Sequence, residues 1–570
     1  MPNVHFRFAL RTSDFWLAII LSIGLMYVPS AWGDDPSISD LNLRSQDRER
    51  RTREQLELDQ RLRLLERSGP AQPEHTTPES ASPGSESCWS FQGLRLAGNT
   101  LITQQQIIAR LDTLITPCMN AQQINQLLAA LTQLYVDAGY IASRPYLASP
   151  PQDAQSLDII IEEGFVESIE LEDPTQAVSL QGAFPGMLGK PLQLRDLEQG
   201  LDQLNRLRSL DLTADIAPGA LAGGSRLIIR SRTQAAPWAA ALNANNRGNQ
   251  QTGRNRAALS LSLDSPLGLN DFVSLNGSTS LNRQDAYSRS QSLYYNIPYG
   301  FWTLGLSLSR AEYRYPIQLK HQVVVSNGQT DQYALSLNRM LWRDQGTLLN
   351  GTLRLSSKRS DSYFAGQHLR IQSPRLTVAE ASLNLLKVSD GIWSSTLSYA
   401  QGLDWLGADR DSERLTQRLP QAQFRKYRAD ISYWRQSRDA LWNWDSQLAL
   451  QYSPDLLPSL EQMLLTDDYA VRGFRLGSLS AAKGAVWRNT LSLPRTFSPQ
   501  LRITPRVGLD SGWGKYTQGA RSQRLAGASV GLGFSGKNFQ VDVDYQRRLY
   551  SSRPLNPEPG FWLMEVNLWI

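Results

Sequence analysis

The chain is 570 residues long, 41% hydrophobic and 19% charged, which leaves room for several folded domains. A formal charge of +5 over that length argues against a nucleic-acid partner, and no concentrated basic tail is present. The two cysteines and four histidines (His5, His75, His321 and His368) form no HExxH motif and no Cys/His cluster, so neither a metal centre nor a histidine-based hydrolase site is expected.

Residues 1–33 read as a secretory signal peptide. Arg7 and Arg11 supply the positive end, Phe15–Val28 is an apolar run, and Ala31-Trp32-Gly33 resembles a small-x-small cleavage site. An N-terminal anchor is the alternative, but the run is short for a span and no stop-transfer pattern follows. After Gly33 no stretch of about 18 apolar residues occurs, so no spanning helix is expected.

Arg44–Arg67 is densely charged. The pairs Glu49/Arg53, Glu57/Arg61 and Asp59/Arg63 place the acid four residues before the base, which supports a helix, and Gly69-Pro70 is a stop signal. A helix polar nearly all round has no core to enter. It is either a solvated segment or a helix in a water-filled space. Ala71–Ser87, rich in Pro, Ser, Thr and Glu, reads as a flexible linker.

Cys88–Leu171 has the pattern of a small α/β unit. Trp89–Leu96 is strand-like. Asn120 is placed to cap a helix with Gln123 in the capping-box position, and Ile124, Leu127, Leu128, Leu131, Leu134 and Tyr135 follow helical spacing. Leu157–Glu162 and Phe165–Leu171 are strand-like, with Glu163-Gly164 as the turn between them. Past a signal peptide, Cys88 and Cys118 can oxidise, and the loop they close is worth about 3–4 kcal/mol in the chain-entropy picture. Two free buried thiols are the alternative. A second unit of similar pattern follows, with a helix marked by Leu194, Leu197, Leu201, Leu204 and Leu207 and a closing strand Arg226–Arg230, so a tandem repeat is expected.

From Pro237 onward the pattern changes to period two. In Asn255–Asp264, Ala257, Leu259, Leu261 and Leu263 alternate with Arg256, Ala258, Ser260 and Ser262. Tyr333–Met340, Leu348–Leu355, Ala379–Leu386, Trp393–Tyr399, Ala429–Trp434 and Trp444–Tyr452 alternate less cleanly. At the C-terminus Trp562, Met564, Val566, Leu568 and Ile570 face one way and Leu563, Glu565, Asn567 and Trp569 the other. Such segments recur for more than 300 residues with Tyr and Trp near their ends. That is the pattern of a membrane β-barrel of about 16 antiparallel strands, apolar outside and polar inside, in which every backbone amide pairs within lipid.

Gly527–Asn538 contains G-x-S-x-G, G-x-G-x-x-G and a near match to G-x-x-x-x-G-K. Those motifs need a strand that opens into a helix; here strand lies on both sides, so small residues alternating along a barrel strand explain all three. No catalytic residue is assigned and no cofactor is implied. The long stretch Leu456–Trp487 is more informative. It holds Val471-Arg472-Gly473-Phe474, and an arginine on a loop folded back into a lumen needs a carboxylate. Asp510, in Leu509-Asp510-Ser511-Gly512, is a candidate.

Val471-Arg472-Gly473-Phe474 followed by Leu509-Asp510-Ser511-Gly512 resembles the signature of the outer-membrane assembly and secretion superfamily with POTRA domains, and within it the two-partner secretion transporters called TpsB proteins. Cys88 through Cys118 with Gly139–Tyr146 resembles that family's first POTRA domain; Leu194–Leu207 and Ile216-Ala217-Pro218-Gly219 resemble the second; Asp264–Asp271 resembles an early barrel hairpin. The chain ends in Trp569-Ile570 where many outer-membrane barrels end in Phe, a departure that bears on recognition for insertion rather than on fold.

The resemblance implies a layout: signal peptide 1–33, plug-helix segment 34–69, linker 70–87, POTRA domains 88–165 and 166–235, and barrel 236–570 with a lumen-folding loop at 453–486. It makes the charged helix a pore plug, and it pairs Arg472 on the loop with Asp510 and Gly512 on the barrel wall. It implies a large unfolded exoprotein (an adhesin, haemolysin or contact-dependent toxin) bound in the periplasm by the POTRA domains and exported through the barrel. Outer-membrane lipid and the barrel-assembly machinery are further implied partners. A barrel-insertion factor and a passive porin are the rival readings. The first typically carries a different number of POTRA domains; the second needs neither tandem units nor the Arg-Gly-Phe loop.

Overall fold

The computed structural model describes residues 38–67, 88–281, 285–344, 346–411, 419–476, 478–516, 521–552 and 558–570. The signal-peptide segment and the linker at 70–87 lie outside the described residues.

The first small domain has a four-stranded sheet in the order Cys118–Met119, Trp89–Ala97, Gln155–Glu162, Arg144–Leu147. Helices Gln104–Leu111 and Ala121–Asp137 cover it. Asn120 and Gln123 form a reciprocal capping box, each side chain accepting the other's backbone N–H at 2.9 Å. Thr103 and Gln106 repeat the device. Ile124, Leu127, Leu131 and Tyr135 then fall on one face and pack on Ile107, Leu157, Ile159 and Ile161. A disulfide joins Cys88 to Cys118, with Cα atoms 5.5 Å apart.

The second domain places Phe165–Leu171 parallel to Gly224–Gln234, which pairs antiparallel with Leu210–Pro218. Glu163-Gly164 is therefore not a hairpin turn. The strands on either side join different sheets, and this dipeptide is the junction between domains. Local alternation marks a strand but does not name its partner. Helix Leu194–Asn205 buries Leu197 and Leu204 against Val166, Leu212, Leu227 and Ile229. Leu207 lies just beyond its end and packs instead with Phe272 and Tyr294 of the barrel.

Sixteen long antiparallel strands close the barrel, from Trp238–Asn245 to Phe561–Trp569, which pair over Glu565↔Asn245 to Trp569↔Ala241. Leu259, Leu261, Leu263, Leu335, Leu337, Trp393, Trp487 and Trp562 are exposed on the outside. Ser274, Asn296, Asn350, Asp510, Asp542 and Asp544 are buried on the inside. No described helix is long and apolar enough to cross a membrane. Strands Val323–Arg343 and Thr347–Phe364 have 21 and 18 residues, beyond the roughly 9–11 a span needs. Only their lipid-facing parts alternate in sequence; past the bilayer both faces are wet and the period fades.

Gln523–Ser535 is a barrel strand, so the glycine-rich patterns there open no helix. The charged helix runs from Ile38 to Arg67 inside the barrel, six residues earlier than the ion pairs indicate. Its first turns pack Leu41 on Ala286, Tyr313 and Tyr315. Asn42 donates to Ser360 Oγ at 3.0 Å, the Ser309 hydroxyl donates to Glu49, and the Tyr294 hydroxyl donates to Glu57 at 3.5 Å. Beside it a cavity of about 510 Å³ is lined by charged groups including Arg51, Arg354, Glu380, Arg428 and Arg488. The last turns of the helix pack Leu64 and Leu65 on Met340, Leu348 and Leu386, so it is seated on apolar patches at its two ends and runs charged between them, through a polar stretch of the lumen.

The second domain is fastened to this barrel mouth through the polar face of Leu194–Asn205. Gln199 and Gln203 donate to the Gly300 carbonyl at 3.1 and 2.8 Å, and Arg206 donates to Asn296 Oδ1 and to the Asn270 carbonyl. Arg343, at the end of a barrel strand, pairs with Glu198 at 2.6 Å and with Asp202. Burial outweighs that guanidinium and pushes the Asp202 carboxyl up to about 6.

Candidate functional site: the lumen loop and its seat

Between strands Asn443–Tyr452 and Lys483–Ser492 the chain turns back into the barrel. Met463, Leu465, Val471 and Phe474 are buried with Ala481, Val486 and Leu525, an apolar cluster that holds the loop inside. A short pairing of Met463–Leu464 with Ser480–Ala481 braces its two arms.

Arg472 sits at the tip on the wall. Its backbone N–H and Nε donate to Asp510 Oδ2 at 3.0 and 2.7 Å, and Nη2 donates to Asp510 Oδ1. Nη1 reaches Ser529 Oγ at 3.0 Å and Nη2 the Asn489 carbonyl at 2.8 Å. The Asp510 side chain has 0% exposure, so this forked pair is out of water and each charge depends on the other. Arg488 stands 3.9 Å from the same carboxylate. Gly473 adopts φ +87° and its N–H donates to Gln546. A side chain there would meet the Arg547 backbone at 2.3 Å, so only glycine fits. Arg475 and Leu476 donate backbone N–H groups to Glu558, at 2.6 and 2.8 Å.

The seat itself is made of absent side chains. A Cβ on Gly508 would lie 2.1 Å from Arg472 Nη1, on Gly512 2.6 Å from Val471 Cγ2, and on Gly527 1.8 Å from the Arg472 carbonyl. Small inward residues on Leu501–Lys515 and Gln523–Ser535 thus form the floor under the Arg-Gly-Phe tip. That is the physical content of the glycine-rich stretch that imitates three enzyme motifs. The family resemblance groups Val471 to Phe474, Asp510 and Gly512 in one site, with spacing alone offering Asp510 only as a candidate partner of Arg472. Neither indicates Ser529, Gln546 or Glu558, nor the pair of lysines that holds Glu461, because no short-range spacing links these positions. Among the described residues no three His, Cys, Asp or Glu side chains are grouped as metal ligands.

A closed 16-stranded barrel with two α/β domains at one mouth, a charged helix in its lumen and a loop fixed to its inner wall defines a POTRA-bearing outer-membrane barrel. The family described as haemolysin secretion/activation protein ShlB/FhaC/HecB matches residues 223–534, a ShlB-type POTRA domain matches 89–164, and a further POTRA domain matches 165–218. The hemolysin transporter protein ShlB of Serratia marcescens is 38% identical over 84% of this chain and 85% of its own length. The hemolysin transporter protein HpmB of Proteus mirabilis is 34% identical over 90% of each. CdiB from Escherichia coli superposes with a TM-score of 0.81 at 27% identity, covering 95% of this chain and all of that one.

The chain belongs to this family: it is an outer-membrane transporter of two-partner secretion, with its POTRA domains in the periplasm and a secreted exoprotein as its partner. The matches support that transporter and not the insertion-factor or porin reading.

Proposed function

We propose that the transporter binds a large unfolded exoprotein in the periplasm through its POTRA sheets and passes it through the barrel, with the helix Ile38–Arg67 as a displaceable plug and Arg472–Asp510 as the lock that holds the lumen loop in its secretion-competent place. The forked, water-excluded Arg472–Asp510 pair is the observation that carries the reading. Strand Arg144–Leu147 lies at the edge of the first sheet with Tyr146 exposed, and Phe165–Leu171 and Leu210–Pro218 are the edges of the second. An extended segment added to such an edge gains main-chain hydrogen bonds without a strict sequence demand.

The cargo is a haemolysin by analogy with relatives whose names call them hemolysin transporters, with an adhesin or contact-dependent toxin as the other cargo classes that the family resemblance implies. Outer-membrane lipid covers the apolar outer wall, and the barrel-assembly machinery inserts the chain. The test compares surface and supernatant proteins of a parent strain with those of a strain lacking this gene. Selective loss of one large exoprotein, restored by the intact gene, supports the reading. Loss of many barrel proteins together, or no change under expressing conditions, defeats it.

A further inference from the structure

The lumen loop is held at a second place, on a different part of the barrel wall. In the short turn Ser459–Glu461, the Glu461 side chain is 2% exposed. One carboxylate oxygen accepts from Lys358 Nζ at 2.6 Å and the other from Lys426 Nζ. Lys358 belongs to strand Thr347–Phe364 and Lys426 to strand Arg425–Gln436, with two further long strands between them in the barrel order. The Glu461 carbonyl also accepts from Gln451 Nε2 at 3.1 Å. Around the clamp, Leu457 and Leu460 pack on Leu376, Val378, Ala400 and Phe424.

Arg472 is held by strands further round the barrel, through Asp510 and Ser529. The segment between the two attachments carries Tyr469, whose carbonyl accepts from Arg51 of the plug helix at 3.2 Å and whose ring lies 5.2 Å beneath the Arg51 guanidinium. The loop is therefore a strap with two feet of opposite charge: an anion between two cations at one end, a cation on an anion at the other. The plug lies along the strap, against the Ser459–Glu461 turn at one end and on Tyr469 through Arg51 near the other.

We propose that the Lys358–Glu461–Lys426 clamp is an independent foot of the loop, which keeps its proximal arm on the wall when the Arg472 foot lets go, so that the loop swings as a hinged arm. This rests on the lock reading of Arg472. One anion facing two cations makes Glu461 the sensitive member, because its loss leaves two like charges in one buried niche. Either lysine can be neutralised with the other still in place. An ion cluster that merely stiffened the wall would not need its anion on the loop.

The experiment uses the full-length transporter in the outer membrane of intact cells, with a single reporter cysteine at Ser459→Cys or Ala470→Cys and a membrane-impermeant maleimide added outside. Glu461→Gln is expected to speed labelling at 459 about tenfold, which corresponds to about 1.4 kcal/mol of opening, and to change 470 by no more than about twofold. Arg472→Ala is expected to do the reverse. The triple exchange Glu461→Lys, Lys358→Glu and Lys426→Glu restores protection at 459 if charge is what holds the foot, and serves if Glu461→Gln fails to insert. Unchanged labelling at 459 in Glu461→Gln, equal release of both reporters by Arg472→Ala, or no protection in the inserted triple exchange overturns the two-foot strap. Normal secretion by Arg472→Ala would remove the lock reading instead, while labelling at 459 still reports on the clamp.

Discussion

Arg472→Ala is the perturbation with the clearest expected size. The wild-type side chain gives Asp510 two hydrogen bonds and supplies one each to Ser529 and Asn489, all at a carboxylate with no solvent exposure. Truncation leaves that carboxylate with the backbone N–H of residue 472 at 3.0 Å and Arg488, whose Nε is 3.9 Å away, as its remaining partners. Breaking a buried pair by removing one partner costs about 3–5 kcal/mol, which moves the seated-to-unseated ratio of the loop by a factor of roughly 10²–10⁴. The barrel wall keeps all its strand pairing, so the protein is expected to insert in normal amount while exoprotein export falls by a similar factor. Arg472→Lys keeps the charge but not the fork, and an intermediate loss is expected. The assay is exoprotein in the supernatant per inserted transporter. Wild-type export by the inserted Arg472→Ala protein would refute the reasoning.

Three further outcomes follow from the geometry. Gly527→Ala brings a methyl to 1.8 Å from the Arg472 carbonyl, so it is expected to insert but to export like Arg472→Ala; normal export would show that the floor can yield. Opening the Cys88–Cys118 link, 30 residues apart, removes about 3–4 kcal/mol from the first POTRA domain, so reductant or Cys88→Ser/Cys118→Ser should lower its proteolysis midpoint by roughly 10 °C or more. Asp202 has its carboxyl raised to about 6 by burial, so the stability it contributes is full below the usual carboxylate range and lost as pH rises through about 6. Asp202→Asn should flatten the thermal stability of the POTRA–barrel interface between pH 4 and 7, with Arg343 keeping Glu198, and an unchanged pH slope would contradict it.

The legible parts of the fold were those written in a local period. Asn120 with Gln123 announced a helix start, and Trp562 to Ile570 announced a barrel strand, because capping and pleat alternation act within a few residues. The Glu163-Gly164 junction was misread as a turn because strand partners are chosen by tertiary packing. Arg472 and Asp510 were brought together by resemblance to a family. No local rule links residues 38 positions apart on a loop and a wall. Leu460-Glu461-Gln462 stands out within the loop stretch, but nothing local points to the partners of Glu461, since Lys358 and Lys426 lie 103 and 35 positions away.

The chemistry of these contacts bears on what emptying the lumen would cost. Along the plug, polar contacts reach the wall and the loop, Asn42 on Ser360, Glu49 on Ser309, Glu57 on Tyr294 and Arg51 on Tyr469, while the loop itself is held by Glu461 between its lysines and Arg472 on Asp510. The two ends of the plug are seated through leucines, Leu41 on Tyr313 and Tyr315 and Leu64 and Leu65 on Met340, Leu348 and Leu386, and that apolar surface costs about 25 cal/mol per Å² when it is exposed. Ion pairs behave otherwise. Once parted in water their charges are solvated, so the displaced state costs little. The two loop feet are the most deeply buried of these charged contacts. If the plug is displaced as proposed, its partly exposed contacts, such as Arg51 on Tyr469, are expected to yield to an incoming chain before the Arg472 and Glu461 feet, which are shielded from water.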